Sequence, residues 1–233
     1  MEQELLQKTE KSTVQIGNVT VNRGEKYQGE ISFEDGEIVL PGTIICGKLP
    51  GKTMLITGGV HSGEYVGIQA CVELGAELLP EKTVGTIVIL KVLNRPAFEH
   101  RAGSLGLSDG KNLNRVFPGN PNGTEMERLA WAITKEVYPK VDYYIDLHSG
   151  DDFEALTPYV YYAGKAAQEV TEASRKWRSR WMCRTWCVPW CHRAERTTMR
   201  HPKELQVFFW SAAAWARGHP RRSTRTSATC AIF

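Results

Sequence analysis

The sequence predicts an α/β protein in which a mostly parallel, mixed sheet is flanked by helices. Three observations carry this. The runs Thr53-Met54-Leu55-Ile56-Thr57 and Thr86-Ile87-Val88-Ile89-Leu90-Lys91-Val92-Leu93 are almost continuously apolar and rich in β-branched residues, as strands buried on both faces of a parallel sheet are. Between them, Val66, Ile68, Ala70, Cys71, Leu74, Leu78 and Leu79 recur at helical spacing over Tyr65 to Leu79. A second helical stretch, Glu125 to Tyr138, leads into a third strand-like run from Val141 to Leu147. Strands that alternate with helices imply parallel pairing through helical crossovers.

Ahead of this alternation, residues 1–50 read as a β-rich segment. Glu30-Ile31-Ser32-Phe33 and Glu37-Ile38-Val39-Leu40 flank Glu34-Asp35-Gly36, a hairpin signal built on Asp-Gly. Thr43-Ile44-Ile45-Cys46 reads as another short strand stopped by Gly47, and Pro50-Gly51 as a turn. The strand–helix alternation then fills residues 51–176.

The chain has 233 residues, 29 basic and 26 acidic, with 42% hydrophobic and 24% charged residues. These are ordinary values for a globular protein with a sizeable core. No run of about 18 apolar residues is present, so no membrane-spanning helix is expected. The acidic start Met1-Glu2-Gln3-Glu4 lacks the apolar stretch of a secretory leader, and a cytoplasmic location is expected. The formal charge of +3 is an average of unlike parts. Residues 1–176 hold 18 basic and 24 acidic residues; residues 177–233 hold 11 basic, ten of them Arg, and only two acidic, Glu195 and Glu204. The same last 57 residues carry six of the seven Trp and four of the six Cys.

Polar residues gather where strands end, which is where open α/β sheets place their ligands. Gly59-Val60-His61-Ser62-Gly63-Glu64 follows the strand ending at Thr57, and Asp146-Leu147-His148-Ser149-Gly150 follows the strand from Val141. Two imidazoles and a carboxylate on adjoining loops are the residue types of a catalytic zinc set with one coordination position open, or else polar loop residues near a sheet edge. The same ligand types serve non-haem iron, so the residues alone leave the metal's identity open. Asp146 is placed to orient a ligating histidine from behind. Between the clusters, Asn94-Arg95-Pro96-Ala97-Phe98-Glu99-His100-Arg101 and Asp109-Gly110-Lys111-Asn112-Leu113-Asn114-Arg115 supply guanidinium groups suited to bidentate capture of a carboxylate, or else to surface ion pairs.

Gly-Gly-Val-His61-Ser-Gly-Glu64, Asp109-Gly-Lys-Asn-Leu-Asn114-Arg115 and Asp146-Leu-His148-Ser-Gly occur in that order. In this the chain resembles the succinylglutamate desuccinylase/aspartoacylase family, a branch of the zinc carboxypeptidase-like hydrolases, over roughly residues 15–176. The resemblance implies a zinc carboxypeptidase-like fold whose catalytic domain occupies residues 51–176, incomplete at its C-terminal end. It implies Zn²⁺ on His61, Glu64 and His148. It also implies recognition of a small-molecule carboxylate or acyl oxygen by Arg101, Asn114 and Arg115, with His100 and Arg95 as neighbouring alternatives to Arg101. The implied reaction is hydrolysis of an N-acyl amino acid, water at the zinc attacking the acyl carbonyl with a glutamate from the C-terminal part as acid and base.

Residues 177–233 do not continue the pattern. Neither Glu195 nor Glu204 follows an apolar strand, so no general-base glutamate is recognisable. Cys183, Cys187, Cys191 and His192 lack the Cys-x-x-Cys pairs of zinc ribbons. Arg and Trp could signal nucleic-acid binding, and a divergent terminus is a further alternative. The favoured reading is a shift of translation frame near codon 176, and neither a nucleic-acid nor a membrane partner is expected. Tryptophan has one codon, TGG, so reading a gene one base late creates it wherever TG precedes G. Moving the frame back by one base lets Lys176 to Met182 be read as Met-Ala-Glu-Gln-Val-Asp-Val. The same shift turns Val207 to Ala212 into Ile-Leu-Leu-Glu-Arg, an apolar strand followed by a carboxylate.

Overall fold

The computed structural model describes residues 13–151, 154, 159–163, 168–180, 187–190 and 206–212. Thr13–Ile16 (β1) and Val19–Asn22 (β2) pair as a separate antiparallel hairpin, and Ile16, Val19 and Val21 drop from it into the main core. Lys26–Phe33 (β3) and Ile38–Cys46 (β4) form the expected hairpin, with Phe33 opposite Ile38. Leu49–Gly58 (β5), the helix Tyr65–Glu77 (α1), Val84–Leu90 (β6) and the short helix Arg95–Glu99 (α2) follow. Then come Glu125–Ala132 (α3), Tyr143–Ser149 (β7), Tyr159–Ala163 (β8), Gln168–Arg180 (α4), Cys187–Trp190 (β9) and Gln206–Ala212 (β10).

Among the described residues, eight strands form one mixed sheet in the order β3-β4-β6-β5-β7-β10-β8-β9. Its centre, β6-β5-β7-β10, is parallel, while β3, β4 and β8 pair antiparallel with their inner neighbours. Alternation along the strands sorts side chains onto two faces. On one, Met54, Ile56, Ile87, Ile89, Ile145 and Leu147 pack with Cys71 of α1. On the other, Leu55, Val88, Leu90 and Tyr144 pack with Met126, Leu129, Ala130, Ile133 and Val137, on and just after α3.

Several boundaries differ from expectation for physical reasons. Pro50-Gly51 is no turn: it lies inside β5, where the register against β6 slips between Leu49 and Thr53. Pro41-Gly42 likewise runs through β4, and the Pro41 carbonyl accepts from the Lys91 amide. The helix expected over 125–138 is regular only to Ala132. It widens into a π turn over Ile133–Val137 and tightens to a 3-10 turn over Tyr138–Lys140, where Pro139 has no amide to continue a ladder. Within the last 57 residues, where no strand is expected in this frame, Gln206–Ala212 lies beside β7 with Phe209 opposite Asp146. Its Val-Phe-Phe-Trp run has the β-branched and aromatic character of a strand. Glu195, Glu204, Cys183, Cys191 and His192 lie outside the described residues.

Helix α1 sits close on the sheet because Gly67 faces the backbone of β7. A Cβ at Gly67 would lie 2.5 Å from the Leu147 carbonyl oxygen, and a central strand cannot yield by that much. Gly67→Ala is therefore expected to lower stability by about 1–3 kcal/mol, although alanine is the better helix former by about 1 kcal/mol. Urea unfolding checks this, and a variant as stable as the parent would contradict the close packing.

Candidate metal centre

The site lies at the carboxyl ends of β5, β6 and β7. Strand β5 ends at Gly58, and Gly59 takes a left-handed φ of +64°, which glycine adopts without a steric penalty. The chain then turns through His61 and Glu64 into α1, whose first residue is Tyr65. On β7, Tyr144, Asp146 and His148 share one face because they alternate with Ile145 and Leu147.

These elements bring His61, Glu64 and His148 together, each offering one donor atom, with all the donors within 4.8 Å of one another. The Nδ1 of His61 lies 2.9 Å from Glu64 Oε1, and the Nδ1 of His148 lies 2.7 Å from Glu64 Oε2. The Ser149 amide donates to the same Glu64 oxygen at 3.2 Å. Each ring is held from behind through its other nitrogen: His61 Nε2 by Asn112 Oδ1 at 3.2 Å, His148 Nε2 by Asp146 Oδ2 at 2.7 Å. A ligating histidine needs this arrangement, one nitrogen facing inward and the other anchored on an oxygen. The donor set fits a metal ion.

The electrostatics of the metal-free cluster agree with that geometry. Burial alone would raise the Glu64 carboxyl, but the hydrogen bonds from His148 and His61 bring it down to about 2. Burial alone would lower the His148 imidazole, but the charge and hydrogen bond of Asp146, with Glu64 opposite, raise it to about 10. The inward Nδ1 of His148 thus carries a proton where a cation would take its place.

Arg101, Asn114 and Arg115 come from the connection between β6 and α3. That connection crosses both histidine loops: the Ser62 hydroxyl donates to the Gly103 carbonyl, and the Ser104 hydroxyl donates to Asp151. Asn112 Oδ1, which supports His61, also accepts from the Asn114 amide at 2.9 Å. Arg115 is exposed and donates to the Asn114 carbonyl. Of the alternatives to Arg101, Arg95 is committed to Glu30 at 2.8 Å and Glu99 at 2.6 Å, tying α2 to β3. His100 Nδ1 faces the Pro96 carbonyl at 2.9 Å.

Arg101 makes no ion pair with a described residue and is exposed. It ends α2 in a Schellman turn: its amide donates to the Phe98 carbonyl and the Ala102 amide to the Ala97 carbonyl. The turn puts Arg101 at φ +51°, a position normally filled by glycine. Arg101→Gly is expected to raise stability by about 1 kcal/mol, because an L side chain is disfavoured there by roughly that much. A urea midpoint that does not rise would contradict the strain.

Asn112 as the support of His61 was not singled out by the sequence, although it lies within the Asp109–Arg115 stretch. A loop amide gives no periodic signal. Its role emerges only when the loop folds over His61.

Residues 50–180 match the succinylglutamate desuccinylase/aspartoacylase catalytic domain family. Over 124 residues the chain is 36% identical to the N-alpha-acetyl-L-2,4-diaminobutyric acid deacetylase of Halomonas elongata, covering 53% of this chain and 36% of that protein. The structure is similar to a succinylglutamate desuccinylase/aspartoacylase from Rhodobacter sphaeroides (TM-score 0.71, 23% identity, 92% of this chain and 66% of that one). It is also similar to the product-bound ectoine utilization protein EutE (DoeB) of Ruegeria pomeroyi (TM-score 0.74, 22% identity, 92% and 67%). A metallo-carboxypeptidase from Burkholderia cenocepacia shares the fold at 14% identity (TM-score 0.60, 89% and 62%). The chain thus spans about a third of the curated relative and about two thirds of these solved chains.

Proposed function

Because the chain belongs to the succinylglutamate desuccinylase/aspartoacylase family, we propose that it is built as a zinc-dependent hydrolase of small N-acyl amino acids or related carboxylates. The observation that carries this reading is the convergence of the His61 and His148 Nδ1 atoms on the single carboxylate of Glu64, with Asn112 and Asp146 behind the rings. His61, Glu64 and His148 would hold the zinc, which would supply an acidified water and polarise the acyl carbonyl. Arg101 and Arg115 supply guanidinium groups for the substrate carboxylate, and Asn114 an amide for the acyl oxygen. In the Arg101→Gly variant, losing a charge-assisted hydrogen bond of about 1.5–3 kcal/mol weakens binding of an N-acyl amino acid about 10- to 100-fold.

Among the described residues no acid or base stands uncommitted at the site. Glu64 serves both imidazoles, Asp146 serves His148 and Thr57, and Asp151 accepts from Ser104. The composition of residues 177–233 supports a shifted reading frame in place of the family's base-bearing segment. The chain is accordingly read as a weakly active or inactive member of a hydrolytic lineage. The alternative, a non-catalytic zinc- or ligand-binding remnant, shares the same ligands.

No helix among the described residues is long and apolar enough to cross a membrane, and Cys46 and Cys71 are buried free thiols. The free thiols agree with a reducing, cytoplasmic setting. The test is deacylation of N-acyl amino acids by the zinc-loaded full chain with and without a chelator. Slow, chelator-sensitive turnover supports the hydrolase, and none at all supports the remnant. Turnover that ignores the chelator would sink the zinc reading.

A further inference from the structure

Behind Asp146 lies a chain of buried hydroxyls that the reaction itself does not touch. Thr57 is the last polar side chain of β5 and is fully buried; Asp146 and Tyr144 are 2% exposed. Thr57 and Asp146 are directly opposite in the parallel β5–β7 pair, and Tyr144 lies two residues earlier on the same face of β7. Thr57 Oγ1 donates to Asp146 Oδ1 at 2.6 Å, and Tyr144 Oη lies 2.9 Å from Thr57 Oγ1. A hydroxyl has one proton to give, and the Asp146 carboxylate accepts it. Thr57 therefore receives its second hydrogen bond from the Tyr144 hydroxyl. Burial and the neighbouring Asp146 charge keep that phenol protonated.

The pairing is not the general fate of a buried threonine here. Thr43 on β4 is equally buried, yet its hydroxyl has no partner among the described residues. The Thr57 bond occupies one oxygen of Asp146 and leaves the other facing His148 Nε2 at 2.7 Å.

We propose that Thr57 and Tyr144 are positioning residues of the metal centre. Tyr144 orients the Thr57 hydroxyl and Thr57 orients Asp146, so that Asp146 fixes the proton on His148 Nε2 and commits Nδ1 to the metal. The inference rests on the metal-centre reading above and adds to it two residues that touch neither metal nor substrate. Removing the Thr57 hydroxyl frees Asp146 to turn, and His148 loses its fixed tautomer and ring orientation. A partner behind a ligating histidine typically changes metal affinity 10- to 100-fold. One step further out, about tenfold is expected.

The test is zinc affinity by chelator competition on the full chain, comparing the parent with Thr57→Val, Thr57→Ser and Tyr144→Phe. The visible absorption spectrum of the cobalt-loaded proteins provides a readout of ligand geometry that packing alone would not move. Thr57→Val is expected to bind zinc about tenfold more weakly with an altered cobalt spectrum. Thr57→Ser, which keeps the hydroxyl, is expected to restore both. Thr57→Val with parental affinity and spectrum overturns the proposal, and so does Thr57→Ser impaired as severely as Thr57→Val. Should Thr57→Val fail to fold, Tyr144→Phe decides: weaker zinc binding with an altered spectrum supports the relay, and parental behaviour overturns it. A parent chain that binds no zinc overturns the metal-centre reading itself, an outcome distinct from variants that bind as the parent does.

Discussion

A gene whose reading frame is moved back by one base after codon 176 is expected to give a zinc-loaded protein that hydrolyses N-acyl amino acids 10²–10⁴-fold faster than this chain, the usual contribution of a positioned acid/base. The reasoning starts from what each part supplies. Residues 13–151 build a three-donor cluster with both rings anchored, and a guanidinium-bearing loop that crosses both histidine loops. They place no uncommitted carboxylate beside it. In the shifted frame, the codons of Val207 to Ala212 can be read as an apolar strand followed by glutamate. In the present frame, Gln206–Ala212 already runs parallel to β7 with Ser211 opposite His148. A strand in that lane ends at the same edge as the histidine, where an acid or base is needed. Equal rates for the repaired and present chains would contradict the account. So would turnover by the present chain at ordinary enzyme rates, on the order of 1–10³ s⁻¹.

Glu64→Ala is expected to abolish zinc binding and with it all stabilisation by zinc. Glu64 is the one group that both Nδ1 atoms face, and it also satisfies the buried Ser149 amide. Without it the amide loses a charge-assisted partner, an effect of about 1–3 kcal/mol on the metal-free protein. The larger consequence appears with metal present. At zinc concentrations 100-fold above the dissociation constant the parent gains about 2.7 kcal/mol. For a chain of this size that raises the melting temperature by roughly 5–10 °C. The variant should melt at the same temperature with and without zinc, and a zinc-dependent rise in its melting temperature would remove Glu64 from the site.

Much of this was legible in the sequence because it rests on short-range patterns. The apolar runs at 53–57 and 86–93 read as buried strands of a parallel sheet, and His61, Glu64 and His148 stand where such strands end. What was not legible depends on contacts between distant segments. Pro50-Gly51 reads as a turn by composition, yet pairing of β5 with β6 carries the strand through it. Asn112 is an unremarkable loop amide until the chain folds over His61. Arg101 carries no periodic signal of its left-handed backbone, because that conformation is imposed by the end of α2. The hairpin of β1 and β2 leaves no clear sequence signal either, its two four-residue strands being too short to show alternation above noise. For residues 177–233 the proposed frame shift would account for the loss of hydrophobic pattern, since a shifted frame keeps no memory of core and surface.

The most direct measurement is the zinc stoichiometry of the purified full chain by equilibrium dialysis, beside His148→Ala. The account predicts one zinc per chain for the parent and none at the same free zinc for the variant. A parent that binds no zinc, or a His148→Ala protein that retains it undiminished, would contradict the metal centre on which the functional reading stands.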